Sequence, residues 1–215
     1  MIRIVSAIDE STRPEFEQVL VRLANLGTDI QIDLDDGSFS GYKTVHADQI
    51  ADLLANYKQK INFEAHLMVQ QPFEYIPKLI ESGVRKFFLQ YEIDDNMRNL
   101  LENIEKEDCL VGLAIGPETP VADVEPFLEL VDSVNIMTVT PGRQGQPFEK
   151  INLDKIRDLK NIAFPGEIEV DGGIDDKTIL QVKTFDPNTL VVGHFLTKAE
   201  QPVVNYQHLL DLLRE

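Results

Sequence analysis

Short apolar, β-rich runs alternate with helical patterns from one end of this chain to the other. Eight runs read as strands: Ile2–Ala7, Asp29–Leu34, Ile61–Val69, Lys86–Gln90, Leu110–Ile115, Ser133–Val139, Glu167–Asp171 and Thr189–Val192. Each is followed by a stretch with helical character. Pro14 opens a helix whose apolar positions Phe16, Val19, Leu20 and Leu23 recur at helical spacing, with Gly27 as its stop. Pro72–Ser82 ends before Gly83, Leu153–Leu159 continues the rhythm, and Val203–Leu213 closes the chain. Strands joined by helices must run parallel, which leaves an eight-stranded (β/α)8 barrel or a doubly wound open sheet. Periodicity alone does not choose between them. With no linker, repeat or low-complexity segment, residues 1–215 are expected to form one domain.

In both architectures ligands bind beyond the carboxyl ends of the strands. The bulk charge says little about that ligand. Twenty basic against 37 acidic residues give −17, with no basic run, which argues against nucleic acid or an anionic membrane as partner. No apolar run approaches the ~20 residues of a membrane span, and no signal-like segment is seen, so a cytoplasmic protein is expected. Cys109, the single cysteine, falls in a strand-like run and reads as a buried, inert thiol.

Three strand ends carry polar residues where apolar ones would be expected. The second ends Gln31-Ile32-Asp33-Leu34-Asp35, and alternation puts Gln31, Asp33 and Asp35 on one face. The third ends Ala65-His66-Leu67-Met68 and the seventh Glu169-Val170-Asp171. Inward carboxylates are costly unless they bind something, and two Asp with one His can converge on a divalent cation. Lysines fall in loops or helices rather than at strand ends, so a Schiff-base mechanism is not expected, and no Ser or Cys stands out as a nucleophile.

Glycines mark a second feature. Asp171-Gly172-Gly173-Ile174 follows strand seven and Val192-Gly193-His194 follows strand eight, the two loops where barrels commonly hold phosphate. Glycine lets backbone amides approach an anion, and helix N-termini behind the loops favour negative charge. An acidic protein can therefore bind an anion through local amides. After strand six, Thr140-Pro141-Gly142-Arg143-Gln144-Gly145-Gln146 reads as a lid, with Arg143 able to approach the anion.

Taken together, His66-Leu67-Met68-Val69, Pro117-x-Thr119-Pro120, Met137-x-x-x-Pro141-Gly142-x-x-Gly145-Gln146 and Glu169-Val170-Asp171-Gly172-Gly173-Ile174 resemble the ribulose-phosphate 3-epimerase family. The matches run in order from Ser6 to Gly193, so the resemblance implies the barrel rather than the open sheet. It further implies an isomerase of carbohydrate metabolism, in the pentose phosphate pathway, that interconverts D-ribulose 5-phosphate and D-xylulose 5-phosphate. A divalent cation, zinc or else iron, manganese or cobalt, is implied as cofactor. By the same resemblance Asp33, His66 and Asp171 hold the metal, and Asp33 and Asp171 also serve as acid and base. Ser6, Met68, Met137, Gly142, Gly145 and Gln146 line the substrate, and Gly172, Gly173, Gly193 and His194 cradle its phosphate. A homo-oligomer is the expected assembly.

The chain departs from the family pattern at informative places. Gln31 stands where a metal-binding His is usual, and a carboxamide is a weaker ligand than imidazole. Asp35 replaces a Met and is the alternative source of the missing ligand. Gln90 replaces a His, His194 a Ser, and Arg143-Gln144 a Phe-Gly pair. These changes leave two other readings open: a different phosphosugar isomerase or aldol-type enzyme on the same barrel, or a sugar-phosphate-binding protein without activity.

Overall fold

The computed structural model describes residues 2–93, 96–142 and 144–214. Eight parallel strands close into a barrel in sequence order: β1 Arg3–Ile8, β2 Ile30–Asp35, β3 Phe63–Met68, β4 Val84–Gln90, β5 Leu110–Ile115, β6 Ser133–Met137, β7 Glu167–Asp171 and β8 Thr189–Val192. β8 returns to pair with β1, with Val5 beside Val191. The full-length helices are α1 Arg13–Leu23, α2 Ala47–Ala55, α3 Pro72–Ser82, α4 Met97–Glu105, α6 Asp154–Asn161 and α9 Pro202–Arg214. Three others, α5 Val121–Val124, α7 Ile179–Val182 and α8 His194–Thr197, are single turns. No helix among the described residues is long and apolar enough to cross a membrane.

Helix boundaries follow local chemistry. The Thr12 hydroxyl accepts from the Glu15 amide and caps α1, which ends at Leu23, ahead of the expected stop at Gly27. α3 ends where expected, because Gly83 takes the left-handed conformation (φ 105°) that closes a helix.

Alternation sorts the strands into two environments. Ile30, Ile32 and Leu34 of β2, Ala65 and Leu67 of β3 and Val170 of β7 point outward and pack beneath the helices, forming the apolar core. The opposite faces line the barrel and are unusually polar: Gln31, Asp33, Glu64, His66, Lys86, Gln90, Asn135, Glu169 and Asp171 are all buried. Lys86, the first residue of the expected fourth strand, is the exception to the expected placement of lysines in loops and helices. It lies in β4 and reaches into the floor of the barrel, 3.4 Å from Glu64, 3.3 Å from Glu169 and 3.4 Å from Glu167. Burial alone would lower the pKa of the Lys86 ammonium, yet its three carboxylate neighbours raise it above its ordinary value. Burial pushes Glu169 well up, and the nearby Glu64 adds to the effect.

Removing the Lys86 ammonium leaves the buried Glu64 and Glu169 without their ion-pair partner. Lys86→Met is therefore expected to cost ~3–5 kcal/mol in denaturant unfolding, with Glu169→Gln in the same chain recovering part of it.

Candidate active site

At the mouth of the barrel, Asp33, His66 and Asp171 each offer a ligand atom, all within 4.8 Å of one another. Gln31 joins them. Its Nε2 donates to Asp33 Oδ1 at 2.9 Å and to Asp171 Oδ2 at 2.8 Å, so one carboxamide bridges both carboxylates. Asn135 Nδ2 adds a longer contact to Asp171 Oδ2, at 3.4 Å.

The state of His66 follows from its neighbours. The Glu92 carboxylate can only accept, so the Gln90 Nε2 that it holds must be the amide's donor end. Gln90 Oε1 then faces His66 Nε2 at 2.7 Å, and Nε2 carries the ring proton. Nδ1 is left with a lone pair, buried without a hydrogen-bond partner, 3.9 Å from both Asp33 Oδ1 and Asp171 Oδ2. Glu92 is itself anchored by the Gly116 amide at 2.7 Å and the Thr119 hydroxyl. Lys155 of α6 holds the Gly116 and Pro117 carbonyls at 2.6 and 2.8 Å. Burial lowers the His66 pKa to about 4, so the ring is neutral and able to ligate.

Both aspartates are harder to ionise than free carboxylates. Burial, with Asp171 and Asp9 beside it, raises Asp33 well above the ordinary range. Burial also raises Asp171, but the Gln31 and Asn135 amides restrain it to about 6. Burial and mutual repulsion therefore make it hard for both carboxyls to be ionised at once.

A cavity of about 370 Å³ opens from this cluster towards the glycine loops. Met68, Met137, Gly142, Gly145, Gln146, Gly172, Gly173, Gly193 and His194 line it beside Asp33, His66 and Asp171. Two candidates fall elsewhere. Ser6 pairs in register with Ile30, whose side chain is in the outer core, whereas Ala7 pairs with Gln31 and supplies β1's share of the cavity wall. The Asp35 carboxylate accepts from the Gly37 amide at 2.8 Å and from the Ser40 hydroxyl, so it shapes the loop after β2 and is absent from the ligand cluster. Arg143 lies outside the described residues.

The glycine loops owe their shape to backbone conformations that side chains resist, with φ 115° at Gly172 and 64° at Gly173. Val139 and Phe148 press so closely on these two glycines that a Cβ would meet them. The helix N-terminus expected directly behind the β7 loop is not there, since α7 begins only at Ile179. The loop after β6 is folded onto the mouth. The Gln144 amide donates to Asp9 Oδ2 at 2.8 Å, its Nε2 donates to Ala7 O at 3.2 Å, and Thr197 Oγ1 donates to its Oε1 at 3.3 Å. Its carboxamide rests on Gly193, where a Cβ would fall within 2.4–2.6 Å of it. Asn135, Glu92 and Asp9 escaped the sequence reading. Asn135 had a visible signal, as the inward-facing polar residue two positions before Met137.

Fold and site define a class: a (β/α)8 barrel with a carboxylate–imidazole cluster and a glycine-lined cavity at the C-terminal ends of its strands. Residues 4–197 match the model of the Ribulose-phosphate 3 epimerase family, and the chain belongs to that family. Similar proteins include the ribulose-phosphate 3-epimerase of Schizosaccharomyces pombe, 31% identical over 86% of this chain and 82% of the relative. The cytoplasmic isoform of ribulose-phosphate 3-epimerase from Oryza sativa subsp. japonica is 33% identical over 84% of this chain and 81% of its own. Among solved structures, 3-hexulose-6-phosphate synthase from Salmonella typhimurium superposes with a TM-score of 0.74 at 18% identity, covering 99% of each chain. That likeness shows the shared barrel.

The Asp171 shift carries a sign that can be checked. Its pKa is about 6 in the folded protein against 3.8 ordinarily, so the folded state binds more protons and loses stability as pH rises from about 4 to about 6. His66 acts in the opposite sense over nearly the same range, gaining stability as pH rises from about 4 to 6.5. Asp171→Asn keeps the histidine and removes the carboxylate. The difference in unfolding free energy between the metal-free variant and wild type should therefore move in the variant's favour between pH 4 and 7, by roughly 3 kcal/mol. A difference independent of pH would contradict the assignment.

Proposed function

We propose that this protein inverts carbon 3 of a ketose 5-phosphate, interconverting D-ribulose 5-phosphate and D-xylulose 5-phosphate, by proton transfer between substrate and the Asp33–Asp171 pair. The observation that carries this reading is the pair itself: two carboxylates from β2 and β7, bridged by one amide, in a cavity that runs on to the Gly172–Gly173 loop. A cavity of this size falls within the range that holds small organic ligands.

The C3 proton of a 2-ketose is acidified by the neighbouring carbonyl, and its removal leaves an enediolate. One aspartate takes the proton from one face and the other returns a proton to the opposite face, which inverts the centre. Different protonation states are needed at once, and the raised pKa values of two adjacent buried carboxyls let one keep a proton while the other is ionised. Met68 and Met137 form an apolar wall around the reacting carbons, which limits water. The Gly172 and Gly173 amides hold the phosphate, with Gly193 and His194 closing the other side.

The cluster fits a divalent cation: Asp33, Asp171 and the orphaned Nδ1 of His66 would hold it. Such an ion would supply positive charge to stabilise the enediolate oxygens. Zinc, iron, manganese and cobalt are the ions to compare. The Gln144 carboxamide seated on Gly193 favours a second reading, a related ketose phosphate whose anionic group sits differently in the cradle. A panel of ketose phosphates separates the two.

Asp33→Asn and Asp171→Asn should each reduce epimerisation of ribulose 5-phosphate by at least ~1,000-fold at saturating metal. Exchange of the C3 hydrogen with deuterated solvent is the sharper measurement. A defect on one face leaves slow exchange into one epimer while net epimerisation is lost. Wild-type protein with neither exchange nor epimerisation, whichever ion is added, would overturn the proposal.

A further inference from the structure

We propose that Gln31 is both a stand-in for the cation and one of its ligands, exchanging roles by turning its carboxamide over. The inference rests on reading Asp33, His66 and Asp171 as a metal centre.

The ligand atoms that the other three side chains turn into the cluster are acceptors. The aspartate oxygens and the His66 Nδ1 lone pair converge with no hydrogen between them, and Nδ1 stands 3.9 Å from an oxygen of each aspartate. Gln31 turns donors into the cluster, and both N–H bonds of its Nε2 are used, one on each aspartate. Without an ion, this amide supplies the positive end that holds two buried carboxylates together.

The other end of the same amide is idle. Gln31 Oε1 is buried and has no hydrogen-bond partner. A carboxamide presents its oxygen and its nitrogen at equal reach, so a half-turn about the last side-chain bond brings Oε1 to the place Nε2 now holds. With no cation present that state is disfavoured, because both N–H bonds are lost and an amide oxygen would lie 2.8 Å from the Asp171 carboxylate oxygen. A cation between them makes it the favoured one. Entry of the ion breaks two N–H···O bonds and gains one oxygen ligand, with no movement of the β2 backbone. The resulting set is three oxygens and one nitrogen, which suits Mn²⁺ better than a two-imidazole site would and Zn²⁺ less well.

The test titrates metal-free wild type, Gln31→Met and Gln31→His with MnCl2 and ZnCl2 by calorimetry. Gln31→Met has similar bulk but neither bridges the carboxylates nor supplies an oxygen. It should bind Mn²⁺ at least tenfold more weakly and unfold at a lower temperature when metal-free. Gln31→His should shift the Zn²⁺-to-Mn²⁺ affinity ratio towards zinc by at least tenfold. If Gln31 only occludes the site, Gln31→Met binds Mn²⁺ more tightly, and either that gain or an unchanged affinity overturns the proposal. A second measurement needs no variant to fold: the side-chain ¹⁵N–¹H resonances of Gln31 in wild type should shift on adding ZnCl2, as both carboxylate bonds are lost. Resonances unmoved at saturating zinc overturn it as well. Wild type that binds neither ion refutes the metal centre itself, a result distinct from ion binding with a passive Gln31. Isotope exchange at C3, measured separately, tells whether the enzymatic reading stands.

Discussion

Asp33 and Asp171 sit on strands that are not neighbours, and what brings them into one site is closure of the barrel around a water-poor interior. Two like charges there repel strongly, and each loses its hydration. Every polar group near them bears the mark of that constraint. Gln31 inserts a donor between them, Asn135 adds another, and burial with the neighbouring Asp171 makes Asp33 harder to ionise. Further down the axis the same difficulty is met differently, by a whole ammonium from Lys86 set among Glu64, Glu167 and Glu169. The outer, apolar face of each strand supplies the burial energy that lets the inner face be so polar.

The fold was legible because its signal is redundant. β5, β7 and β8 begin and end where their apolar runs do, and α3 lies between its Pro72 start and Gly83 stop. Less visible were the one-turn helices α5, α7 and α8, since a helical pattern in sequence does not say how much of it the crowded rim of a barrel leaves room for. Site residues were legible in proportion to how far their role depends on strand parity. Asp33, His66 and Asp171 face inward near the strand ends, as alternation requires. Ser6 is less legible by parity, since it shares its register with Ile30 while Ala7 takes β1's place in the cavity wall. The role of Asp35 was hidden for another reason: its carboxylate is captured by Ser40 and Gly37, a loop contact that no spacing rule foretells.

The substitutions that set this chain apart from its family's pattern are not scattered. Gln90, in place of a histidine, still orients His66, because a carboxamide passes on the polarity imposed by Glu92. The chain of contacts continues through the loop after β5 to Lys155 of α6, so the lone pair at the centre of the site is aimed by groups far from the cavity.

Gln144 sits where the family pattern has glycine, and it does more than fill space. Its three hydrogen bonds fasten the loop after β6 to β1 and to α8. Its carboxamide lies against Gly193, so an anion seated there would have to displace it. Admission of such a ligand would then be a unimolecular event of the loop. At high ligand concentration the rate of association would level off at the loop's own opening rate, where encounter by diffusion ceases to govern it.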